Sequence, residues 1–68
     1  MSIARVTEIS AESNTSFEDA IEKGMARAAK TLKNLKGGWV KEQKVTCDDN
    51  GRITGYRVDL KVTFVLED

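Results

Sequence analysis

Hydrophobic and polar residues alternate almost without fault at the end of this chain. Tyr56, Val58, Leu60, Val62, Phe64 and Leu66 fall on one face, and Arg57, Asp59, Lys61, Thr63, Val65 and Glu67 on the other. A period of two with one apolar face marks a strand in a sheet covered on one side, and it predicts a strand over 53–67. Just upstream, Asn50-Gly51 is a strong hairpin signal, because both residues tolerate positive φ. Residues 39–47 and 53–67 are therefore expected to form an antiparallel hairpin.

Upstream the period changes to three and four. Phe17, Ala20, Ile21, Gly24, Met25, Ala28, Leu32 and Leu35 make one stripe on a helix. Gly24 and the alanines allow that stripe close to a sheet. Ser16 is an N-cap candidate with Asp19 three residues on, and Thr15 with Glu18 is the competing register. Gly37 and Gly38 supply the expected stop, one of them in the left-handed conformation. Before the helix, β-branched Ile3, Val6, Thr7 and Ile9 predict a strand over 3–10, but the alternation there is too imperfect to assign its buried face. The fold class is α+β: a β-α-β-β order over 1–68, one domain, with one antiparallel sheet and a helix lying across it.

One length does not fit. A strand over 53–67 extends about 50 Å at about 3.3 Å per residue, whereas a helix over 17–35 covers about 28 Å. Either the strand bends or other copies of the chain cover the remainder. Size points the same way, since a chain of 68 residues buries only about 60% of its unfolded surface. Small domains add disulfides, a metal or oligomerisation. Cys47 is the single cysteine and histidine is absent, so an internal disulfide and a Cys/His zinc site are both excluded. Oligomerisation remains.

Charge says little about partners. Eleven basic and eleven acidic residues cancel, without the basic excess of nucleic-acid binders. Lys30, Lys33 and Lys36 near the helix end, against Glu18, Asp19 and Glu22 at its start, complement the helix dipole. No apolar run is long enough for a membrane span, and the first residues lack a signal-peptide core. The expectation is a soluble, cytoplasmic protein.

Catalytic chemistry is sparse. There is no histidine base for Cys47, which reads as a strand residue. "KGGW" matches no phosphate-binding glycine pattern. Asp48, Asp49 and Asn50 can hold a divalent ion or simply form a turn. Trp39, the single tryptophan, shares a strand face with Lys41, Gln43, Val45 and Cys47 if alternation is unbroken. On the helix side it would cap the core beside Leu35. On the opposite side it would offer an indole to a planar ligand or a neighbouring subunit.

The chain resembles the dodecins, small flavin-binding proteins. The resemblance runs through "VTEISAESNTSFEDAIEKGMARAAKTLKNL", with its "SFEDA" helix start and "ARAAKTL", then "VKEQKV", then "GYRVDLKVTFVLE" with its terminal F-x-L-E. It covers nearly the whole chain by order and spacing. It implies a three-stranded antiparallel sheet wrapped around one helix, and assembly as a hollow homododecamer. It also implies non-catalytic storage of riboflavin or FMN, stacked in pairs at two-fold interfaces, each ring against a tryptophan with a glutamine of the last strand at its polar edge. Aligned on "VKEQ", the family's tryptophan falls on Gly37, and Trp39 stands two residues later. Aligned on "GYRVDLKV", the family's glutamine is Arg57. A shift of two keeps the indole on the same face and moves it about 6.6 Å. Arg57 donates hydrogen bonds but accepts none. The implied flavin site comprises Trp39 stacking, Arg57 at the ring edge, Gly37 and Gly38 leaving space, and Glu42 and Gln43 at the ribityl chain. The alternative is a dodecin-like shell that has lost flavin and binds a metal ion, or coenzyme A near the helix-end lysines.

Overall fold

In the computed structural model, which describes residues 3–66, the elements follow the expected order. They are β1 (Ile3–Ser13), α1 (Phe17–Thr31), β2 (Leu35–Cys47) and β3 (Ile53–Leu66). β3 lies in the middle, antiparallel to both neighbours, giving the strand order β1-β3-β2. The strand with the strictest alternation thus takes the position where one face must be wholly apolar. Val58 and Val62 are 0% exposed and Leu60 3%. Glu67, the last residue of the predicted strand, lies outside the described residues.

α1 packs on this face through Ala20, Gly24 and Ala28, all buried, with Phe17, Ile21 and Met25 along the flanks. The small residues set the approach distance: a Cβ added at Gly24 would stand 3.0 Å from the Ala11 Cβ and 3.2 Å from the Leu60 Cδ1. The helix lies over β1 and β3 and scarcely reaches β2. Val40 and Val45, on the helix side of β2, are left exposed. Overall extents are 53 × 19 × 13 Å with a radius of gyration of 14.1 Å, against about 11 Å for a compact chain of this length. The long hairpin does outrun its helix.

The helix start follows the Ser16 register. Ser16 is extended, and its hydroxyl accepts from the Asp19 N–H at 3.0 Å. Asp19 also accepts from the hydroxyl of Ser13, a buried residue that receives the Thr15 N–H at 2.9 Å. Lys23 pairs with Asp19 one turn on, at 3.0 Å. The Ser13 hydroxyl first, and then Lys23, hold the Asp19 carboxyl below its ordinary value of 3.8, against a small opposing effect of burial. A depressed folded-state value contributes stability that is present above about pH 4 and lost as pH falls through the lowered value. Asp19→Asn is therefore expected to flatten the acid limb of stability in urea titrations between about pH 5 and pH 2, and an unchanged acid limb would remove Asp19 from that role.

Three local expectations are corrected. The helix ends at Thr31 with Leu32 as C-cap, not at Gly37 and Gly38, and Leu35 already belongs to β2. Asn34 supplies the left-handed residue, at φ 60, and its carbonyl accepts from the Val65 N–H at 3.0 Å. Asparagine tolerates that region, and the bond fixes the chain's exit against β3. β1 continues past Ser10 to Ser13, because pairing with β3 extends to the Ser13–Tyr56 pair. In the hairpin turn Gly51 is at φ 80, but Asn50 is not at positive φ. The Asp48 carboxylate organises the loop instead, accepting from the Asn50 and Arg52 N–H groups at 2.9 and 3.0 Å.

Candidate functional site: the outer face of the sheet

Both faces of β2 are assigned by its pairing with β3. Register shifts fall between Leu35 and Gly37 and between Val40 and Glu42. Each is a bulge that reverses the parity of the residues beyond it. Trp39 therefore pairs with Lys61, Glu42 with Asp59 and Lys44 with Arg57, all on the face away from the helix. Leu35 pairs with Phe64, Val40 with Leu60, Gln43 with Val58 and Val45 with Tyr56, on the helix side. The expectation that Trp39, Gln43 and Val45 share a face is corrected by the second bulge. Trp39 does not cap the core beside Leu35, since the two residues lie on opposite faces. It is 53% exposed.

The expected site residues divide accordingly. Trp39, Gly37, Glu42 and Arg57 share the outer face. Gln43 and Gly38 pair with helix-side residues. Gly37 opens onto free space, with nothing within 4 Å of an added Cβ. Gly38 does not: a Cβ there would overlap the Lys61 carbonyl oxygen of β3. Arg57 sits four residues from the Lys61 rung, roughly 13 Å along the strand, so the chain does not bring it to its own Trp39. Its Nε pairs with Glu12 Oε1 at 3.3 Å.

Three charged residues around the indole are not among those expected. Glu8 of β1 stands in the same rung as Lys61 and Trp39. Its Oε1 takes Lys41 Nζ at 3.3 Å and Lys61 Nζ at 3.4 Å, a bridge across all three strands. The alternation of Glu8, Ser10 and Glu12 with Ile9 and Ala11 carries this signal in the sequence. On the next rung Ser10 donates to Asp59 at 2.7 Å. The surface beside Trp39 is thus a lattice of exposed ion pairs, each of small worth alone, that together fix the charged side chains near the ring.

No group of three or more His, Cys, Asp or Glu gathers among the described residues. Asp48 of the Asp48, Asp49 and Asn50 cluster already serves the turn. On the helix side a groove of about 460 Å³ runs between Gly24 and Ala28 of α1 and Ile9 of β1. It is separated from Trp39 by the sheet. No described helix is long and apolar enough to cross a membrane.

The same architecture occurs in known proteins. Residues 3–67 match the Dodecin family profile. A protein named calcium dodecin, from Mycobacterium tuberculosis, is 36% identical over 64 residues, covering 94% of this chain and 89% of that protein. The dodecin of Streptomyces davaonensis superposes with a TM-score of 0.90 at 36% identity, over 98% of this chain and 97% of that one. A tryptophan-to-phenylalanine variant of the Thermus thermophilus dodecin gives 0.90 at 35% identity, over the full length of both chains. Sequence order, sheet topology and full-length superposition agree, and the chain belongs to the dodecin family.

Proposed function

We propose that this dodecin is a non-catalytic binding protein that sequesters a flavin, riboflavin or FMN, against Trp39 on the outer face of its sheet. The observation that carries this reading is the exposed indole on the helix-free face, beside the open space at Gly37. An unburied tryptophan held by a paired strand is a rigid platform for a planar ring. Glu42, one rung from Trp39, supplies the hydrogen-bond acceptor that Arg57 lacks. Gln43, on the other face, takes no part. Arg57 is too far from its own indole and serves a ring held by a neighbouring copy, in the homododecamer that the family implies. The lone cysteine fits a reducing, cytoplasmic setting.

Titration of the apo-protein with riboflavin and with FMN, following flavin and Trp39 fluorescence together, tests the reading. Mutual quenching is expected. Trp39→Ala is expected to weaken binding by about 1–3 kcal/mol, the scale of a stacking contact, which is about 5- to 150-fold in affinity. Equal affinity in the variant would return Trp39 to a structural role.

A second reading rests on the relative named calcium dodecin and on Glu42 standing directly opposite Asp59. Calorimetric titration with calcium separates the two. Calcium binding that Glu42→Gln weakens, without flavin quenching, would favour a shell that has exchanged its ligand. Coenzyme A, tested against the Lys30, Lys33 and Lys36 end of the molecule, is the remaining member of that alternative.

A further inference from the structure

The groove of about 460 Å³ on the helix side of the sheet has an apolar floor and a cationic lip. Ile9 and Ala11 of β1 form one wall, and both are only partly buried against the core, because β1 is an edge strand with no strand beyond it. Gly24 and Ala28 of α1, one turn apart and almost without side chains, leave the space above them open. Lys23, Arg27 and Thr31 follow one another turn by turn along the lip, so they share one face of the helix. Two cations line the groove and no carboxylate does. Lys23 is held by Asp19 at 3.0 Å. Arg27 is exposed and makes no ion pair among the described residues. Its neighbours one turn away on the helix surface are Lys23, Gly24, Lys30 and Thr31, so the helix itself offers it no acid.

We propose that this groove binds a small aliphatic carboxylate, with its alkyl chain on the floor between Ile9 and Ala28 and its head at Arg27. The volume falls within the range of small-molecule sites, about 300–1,000 Å³. An apolar floor favours a chain that brings no polar group to be desolvated. A guanidinium presents a planar fork that matches a carboxylate bidentately. The charge count selects the head as well. One unpaired cation matches a monoanion, whereas a phosphate dianion would leave a charge over, since Lys23 is already taken by Asp19. A cationic or neutral chain would leave Arg27 without a partner. The sheet separates this groove from Trp39, so the inference holds whether or not the indole takes a flavin.

Calorimetric titration of the full-length, assembled protein with hexanoate, octanoate and decanoate, each below its micelle concentration, tests it. Affinity is expected to rise about 4- to 15-fold per two-carbon step, because a fully buried methylene contributes about 4-fold and an open groove somewhat less. Arg27→Gln is expected to weaken octanoate by about 5-fold, the upper end for an exposed ion pair, and to leave the binding of octanol unchanged. An affinity independent of chain length, or no binding at all, would overturn the inference. So would equal weakening of octanoate and octanol in the variant, which would assign Arg27 to the shape of the groove and not to the charge of the ligand. Sedimentation velocity on the same samples tests the competing occupant. Octanoate bound by the intact assembly supports the inference. Binding that appears only where the assembly has dissociated would give the groove to a second copy and reject a free ligand. Should Arg27→Gln alter the circular dichroism, the chain-length series on the wild type still decides the matter.

Discussion

Leu60→Ala is expected to cost about 2–5 kcal/mol, the range for a fully buried leucine. Leu60 sits at the middle of the central strand, 3% exposed, paired with Ile9 on one side and Val40 on the other. Its Cδ1 occupies the space beneath Gly24, where the helix has no side chain of its own. Removing it leaves a cavity roofed by a glycine and flanked by Ala20 and Ala28, none of which can reach in. A site that cannot collapse falls at the costly end of the range. Natural domains of this length hold about 3–10 kcal/mol in total, so the loss approaches the whole stability of the protomer. Assembly makes apparent stability depend on concentration. The urea midpoint should therefore be compared with the wild type at one fixed protomer concentration. A loss below about 1 kcal/mol would mean that the helix settles onto the sheet and that the Gly24–Leu60 contact does not set its height.

The expected position of Leu60 shows what the sequence makes legible. The alternation of β3 identifies its buried face residue by residue, because the pleat has period two and the strand carries no bulge in its pairing with β1. The helical stripe and its Ser16 cap are equally readable, since they depend on contacts three and four residues apart. The helix end is not. "KTLKNLKGG" favours helix up to its glycines, yet the chain leaves the helix at Thr31. The competing demand is distant in sequence: Leu35 must pair with Phe64 to cover the far end of β3. Burial through a long-range pair overrides a local preference worth tenths of a kcal/mol per residue.

The outer face was half legible for the same reason. Arg57, Asp59 and Lys61 fall on it by simple alternation. On β2 alternation fails twice, at Leu35/Gly37 and Val40/Glu42. No residue pattern in "LKGGWVKEQ" announces these bulges, whose position depends on the partner strand. They exchange Gln43 for Glu42 and Lys44 on the face of Trp39, replacing an amide there by a carboxylate and an ammonium.

Gly38→Ala is expected to cost about 3 kcal/mol, at the top of the usual range for overpacking, whereas Gly37→Ala should stay within about 0.5 kcal/mol. The two glycines are adjacent, share a composition and lie in one strand, but only one is confined. At Gly38 an added Cβ overlaps the Lys61 carbonyl oxygen and comes within 3.0 Å of the Val62 Cα. Both are backbone atoms of the central strand and have no rotamer by which to withdraw. Relief requires β2 to move off β3 where Gly38 pairs with Val62, which is 0% exposed. The same movement displaces the next residue, Trp39, from its rung with Lys61. Gly38→Ala should therefore lower the urea midpoint and also weaken whatever ligand the indole holds. Gly37, with nothing within 4 Å, should leave the urea midpoint unchanged, and its effect is confined to the space a ligand beside the indole would use. Denaturation and ligand titration on the two variants side by side decide the matter. Equal, small effects at both positions would show that the first bulge relaxes without loss, and that the close strand approach at Gly38 does not fix the indole in place. A large effect at Gly38 alone would show that this glycine holds the bulged register on which the outer face depends.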